Sequence, residues 1–226
     1  LVSTGDQRGL EYIREALAVL DPKANPLQTA NALSIEGRFH HLAGRHLKAI
    51  ELLRQAAHLV EPIVAADSIS DFAAPIVSRI YSFLAGANQH YGLYTEADRW
   101  AQKSLDFGAT HNFLFAQASG FEFLSEDAIH AGNFKAGLEY ADHEFELIEK
   151  LQSRERKTWA CFAAGMCSFF SDDLVRAERE FTEGLALAEF IGERRAGLLV
   201  KGNLAILRAK KAKSLREDDS ERQQLL

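Results

Sequence analysis

Three histidines near the start of the chain, His40, His41 and His46, are the first residues whose type could do chemistry. Imidazoles bind metal on a helix face when they stand four residues apart. None of these pairs has that spacing, so they read as polar or helix-end histidines, and no metal ligands are assigned. Glu122 and Glu126 do stand four apart. A catalytic carboxylate pair also needs two differently buried members and a pocket, so this pair reads as a solvated face. Cys161 and Cys167 are six apart on one expected helix, which turns them to opposite sides and prevents a disulfide. They read as buried reduced thiols, which points to a reducing, cytoplasmic setting.

Other signatures are missing. The chain has no Gly-x-x-x-x-Gly-Lys loop, no Gly-x-Ser-x-Gly and no His-Glu-x-x-His. No cofactor is expected, and an enzyme is the least supported reading. Arg194, Lys201 and Arg208 fall at heptad spacing, followed by Lys210, Lys211 and Lys213. The net charge of −6 and the acidic run Glu217, Asp218, Asp219 argue against a nucleic-acid stripe. No run of eighteen apolar residues is present, so no membrane helix is expected.

The elements that must position these residues repeat. Ala43-Gly-Arg-His-Leu-Lys-Ala49 returns as Tyr91-Gly-Leu-Tyr-Thr-Glu-Ala97, Ala131-Gly-Asn-Phe-Lys-Ala-Gly137 and Ser171-Asp-Asp-Leu-Val-Arg-Ala177, with Asp172 in the glycine's place. Gly9 to Ala16 parallels Ala49 to Ala56, so the intervals are 40, 48, 40 and 40. A second series of small residues, Gly37, Ala85, Ser125 and Gly165, keeps the same 48, 40, 40 register. Two sites in one register mark stacked supersecondary units. Only four prolines occur and none follows Pro75, so the units read as helices.

Helix pairs with this turn and this mid-helix small residue resemble tetratricopeptide repeats. The period near 40, against the usual 34, implies helices about one turn longer. Repeats of this length are also similar to the helical arrays of bacterial signalling ATPases, maltose-regulator-like transcription factors and some nucleotide cyclases, an impression carried by Thr158 to Ala209.

The resemblance implies an all-α, right-handed solenoid of antiparallel helix pairs. Residues 1–215 are read as one repeat domain, with a half-repeat at 6–21 and pairs at about 27–62, 73–109, 112–152 and 155–190. A terminal helix at 193–215 and a charged tail at 216–226 complete the chain. The second-helix small site departs from the pattern as Ser104 and Glu144. Tyr12, Ile13, Leu17 and Leu20 lack a covering helix, so upstream chain or a second copy is expected over that end.

In the resembled family the first helices line a concave groove. Carried over, the partner-binding residues are Arg38 and His41, then Arg79, Phe83 and His90, then Glu122, Phe123, Glu126 and His130. The fourth repeat supplies Trp159, Phe162, Met166 and Phe170. The arginines and glutamates are expected to be exposed. The expected function is a non-catalytic scaffold that holds a protein or peptide in this groove. A ligand-sensing region of a signalling ATPase or transcription regulator is the alternative. The aromatic fourth repeat is the expected apolar anchor, unless the last helix covers it.

Overall fold

The computed structural model describes residues 7–66 and 69–224, with side chains at 8–66 and 69–213. Ten helices are present among them and no strand. They are α1 (Gln7–Val19), α2 (Pro26–Leu42), α3 (His46–Val64), α4 (Ala73–Tyr91), α5 (Tyr94–Thr110), α6 (Leu114–His130), α7 (Phe134–Leu151), α8 (Arg154–Phe170), α9 (Leu174–Ile191) and α10 (Arg194–Gln224). The chain forms two compact units, 1–127 and 128–226.

The turns explain the period. Gly44, Gly92, Gly132 and Asp172 all have left-handed backbone, with φ of 74°, 88°, 73° and 66°. These are the positions the repeated motif marked. Between pairs, Asn112, Gln152 and Gly192 are left-handed as well, at φ of 51°, 53° and 73°. From Gly92 to Gly192 a left-handed residue therefore recurs every 20 residues. Each helix from α4 to α9 is closed by one, which satisfies its last carbonyls, whereas α3 ends on right-handed Ala65. The next helix starts at once, and α7, α8 and α9 are capped by the side chains of Asn133, Ser153 and Asp173.

Two boundaries differ from the sequence reading. α3 passes through Pro62 and ends at Val64. Pro62 lies exposed in the last turn, where little helix remains to be disrupted by its missing N–H and its ring. α10 continues past 215 to Gln224. The turn at Asp67 to Asp71 falls partly on residues outside those described.

The first unit packs α1 on α2, α2 on α3 and α4, and α4 on α3 and α5. Its core joins Leu53, Ala57 and Val60 of α3 to Val77, Ile80 and Leu84 of α4 and Phe107 of α5. Gly37 stands at the α2–α3 crossing, where an added Cβ would come within 2.7 Å of Cγ of Leu53. The second unit packs α7 on α8, and α8 and α9 on each other and on α10. Gly165 stands at the α8–α9 crossing against Phe181. Leu53 and Phe181 are each sixteen residues beyond their glycine. At the same offset from Ala85 and Ser125 the chain has Ala101 and Ala141. Glycine is thus used where the facing residue is large.

The departures at 104 and 144 are also accommodated. Ser104 is fully buried and donates its hydroxyl to the Ala116 carbonyl at 3.0 Å, tying α5 to α6. Glu144 is fully buried on α7, and the Arg156 guanidinium of α8 stands 3.8 Å away.

Candidate face on the first helices

In the first unit, α2 and α4 present their polar side chains to each other. Asn31, Arg38 and His41 fall on one side of α2 at helical spacing. Each meets a residue of α4. The Arg79 guanidinium donates to Asn31 Oδ1 at 2.5 Å. The Arg38 guanidinium carbon stands 4.9 Å from the centre of the Phe83 ring. His41 Nε2 lies 3.2 Å from His90 Nδ1. These three pairs form a ladder between consecutive first helices.

Arg79 is not exposed as the sequence suggested. It is half-buried, and burial holds its pKa below the ordinary arginine value. Its Nε is buried without a hydrogen bond. Among the described residues no carboxylate forms an ion pair with it; its one side-chain partner is the neutral amide of Asn31. A partly desolvated cation answered only by an amide gives up hydration without gaining an opposite charge. Arg38, Glu122 and Glu126 are likewise half-buried. Phe123 packs towards α4, where an added Cβ on Gly86 would lie 3.1 Å from its ring.

His46, the first residue of α3, joins the histidine pair. Its ring centre is 5.2 Å from that of His41 and 6.0 Å from that of His90. His40 points elsewhere. Arg45 Nε donates to His40 Nδ1 at 2.8 Å, and Glu36 lies 3.7 Å from its other nitrogen. Burial, then the charge of Arg45, lowers the His40 pKa. Beyond the histidines on α4, Gln89 donates to Asp127 Oδ1 at 2.9 Å. Burial raises the Asp127 carboxyl to about 7; the Gln89 bond opposes the shift and Asp98 adds to it.

The second unit holds the rest of the sequence-marked residues. Phe162, Met166 and Phe169 are half-buried and pack against Ala177 and Phe181 of α9 and Val200, Leu204 and Leu207 of α10. Trp159 is half-buried, with the Arg195 guanidinium 5.6 Å over its ring. Phe170 is 51% exposed and stacks on Phe134 at 4.9 Å. His130 is exposed at the end of α6. The chain's own last helix thus covers much of the apolar patch. The basic residues of α10 include Lys210 and Lys211, which pair with Asp172 and Glu178 at 2.6 and 2.5 Å.

Cys161, Glu180 and Glu183 bring a thiol and two carboxylates within 4.8 Å of one another. This group is a charge network: Arg179 and Arg176 hold Glu180, and Lys157 holds Glu183 at 2.7 Å. Burial, then the two carboxylates, pushes the Cys161 thiol far up, which keeps it protonated. Cys167, buried and unpaired with Cys161, is raised to about 11 by burial.

No local pattern indicated that Asn31 meets Arg79 or that His90 meets His41 and His46. Those partners are 44 to 49 residues apart. Adding the 48-residue interval to Asn31 leads to Arg79, the one signal that could have found the ladder.

No protein-family model and no curated protein matches the chain. Solved structures do. The apo form of RapI aligns over 92% of this chain and 77% of its own, at 14% identity and a TM-score of 0.67. BtubC (BKLC) from P. vanneervenii aligns over 93% of this chain and 91% of its own, at 15% identity and a TM-score of 0.61. The fold is a tetratricopeptide-like helical repeat. At these identities the likeness is one of fold. No helix among the described residues is long and apolar enough to cross a membrane.

Proposed function

We propose that the chain is a non-catalytic binding scaffold and that the α2–α4 face of its first unit engages a protein partner through a carboxylate. The observation that carries this reading is Arg79. Its guanidinium is half-withdrawn from water, yet answered by an amide and by no carboxylate among the described residues. A partner's Asp, Glu or C-terminal carboxylate would take the bidentate geometry that arginine favours. Arg38, seated over Phe83, adds a second cation beside an aromatic surface, the residue types that carry interface energy. The fourth-repeat aromatics contribute at most the exposed part of Phe170 and the edge of Trp159, since α10 takes the rest.

A random-peptide display selection on the purified chain tests this. Peptides rich in carboxylates should be enriched on the parent and not on an Arg38→Ala, Arg79→Ala double variant that melts normally. Equal enrichment on both would remove the arginines from the site.

A further inference from the structure

We propose that His41, His46 and His90 form a binding site for one divalent transition-metal ion of the zinc class. The three imidazoles come from three helices. His41 and His90 are the penultimate residues of α2 and α4, and His46 opens α3. His41 Nε2 and His90 Nδ1 are 3.2 Å apart. Two nitrogens bound to a tetrahedral zinc ion at ~2.0–2.1 Å stand about 3.3 Å apart, with ring centres about 5 Å apart. The ring centres of His41 and His90 are 4.9 Å apart, and those of His41 and His46 are 5.2 Å apart. His46 and His90 are 6.0 Å apart with nearly parallel rings. No choice of one nitrogen from each ring puts all three within 4.8 Å of one another, against about 3.3 Å at a tetrahedral ion, so His46 must rotate to swing its nitrogen inward by more than about 1.5 Å. Its Nδ1 is buried and makes no hydrogen bond, so that rotation breaks none at this atom.

The electrostatics favour a cation. The carbonyl ends of α2 and α4 converge at His41 and His90, and helix C-termini attract positive charge. The neighbouring cation, Arg45, is turned away onto His40 Nδ1 and the face of Phe39. His90 is exposed and gives the ion a way in, while His41 is buried and holds the inner position. Three protein ligands leave a fourth place for water or for a donor atom from a partner. The site does not depend on the arginine reading above, because no arginine of that reading is a ligand.

Calorimetric titration of the tag-free chain with zinc chloride at pH 7.5 is the test, with cobalt(II) absorption to report coordination. One ion should bind per chain, and bound cobalt should show the intense visible bands of a tetrahedral site. His90→Ala and His46→Ala should each weaken binding about tenfold or more, with the metal-free melting temperature unchanged. His58→Ala, on the exposed face of α3, should bind like the parent. Failure of the parent to bind zinc would reduce the His41–His90 contact to a hydrogen bond between neutral rings and overturn the proposal. Equal affinity in the His46 and His90 variants would do the same.

Discussion

A Cβ placed on Gly165 would lie 2.5 Å from Cε1 of the Phe181 ring. The ring is fully buried and fills the space between α8 and α9. Replacing Gly165 by Leu should therefore force the pair apart and cost about 1–3 kcal/mol or more. Chemical denaturation of the variant checks this. A midpoint equal to the parent's would mean the crossing is not where the register puts it.

The apolar fourth repeat is expected to behave as core. Phe162→Ala and Met166→Ala should each lower stability by about 1–3 kcal/mol, below the loss from a fully buried site because both are half-buried. Peptide affinity should stay unchanged. Phe170→Ala, at an exposed ring, should cost little stability. Weaker peptide binding by the Phe162 variant at an unaltered midpoint would return the anchor to this repeat.

Asn112 is left-handed at φ 51° with an exposed side chain. Asparagine tolerates this conformation and β-branched residues do not. Asn112→Val should destabilise by about 1–2 kcal/mol, whereas Asn112→Gly should be neutral or stabilising. Thermal melts of the two variants separate backbone strain from any role of the side chain.

Asp127 gives the first unit a pH dependence. Its folded pKa is raised from 3.8 to about 7. The folded form therefore keeps a proton that the unfolded chain has lost. Its contribution is full below pH 3.8 and disappears as the pH rises through about 7. Between pH 5 and 8 the parent should lose stability relative to Asp127→Asn, which cannot titrate. Urea midpoints at four pH values would show the two curves diverging; parallel curves would exclude Asp127 as the source.

The fold was legible because its constraints are local and periodic. Gly44, Gly92, Gly132 and Asp172 mark the turns, and Gly37 and Gly165 mark the crossings. Asn112 and Gln152 went unread as turn residues because neither is glycine, although both stand on the 20-residue interval. The site was legible only as a list of residues on first helices. Whether Arg79 faces water or an amide depends on a helix 48 residues away, which no local pattern encodes. The aromatic cluster was legible as an apolar surface in need of cover, and the last helix, the alternative cover read from the sequence, packs on Phe162, Met166 and Phe169.

The most direct test of the binding face is a calorimetric titration of a selected carboxylate-bearing peptide into the parent, Arg79→Ala and Arg79→Lys. Loss of a paired arginine should weaken binding by about tenfold or more in the alanine variant, and lysine should restore only part of it. Melting temperatures must match throughout. If the alanine variant binds the peptide as tightly as the parent, Arg79 does not receive the partner's carboxylate and the proposed face is wrong.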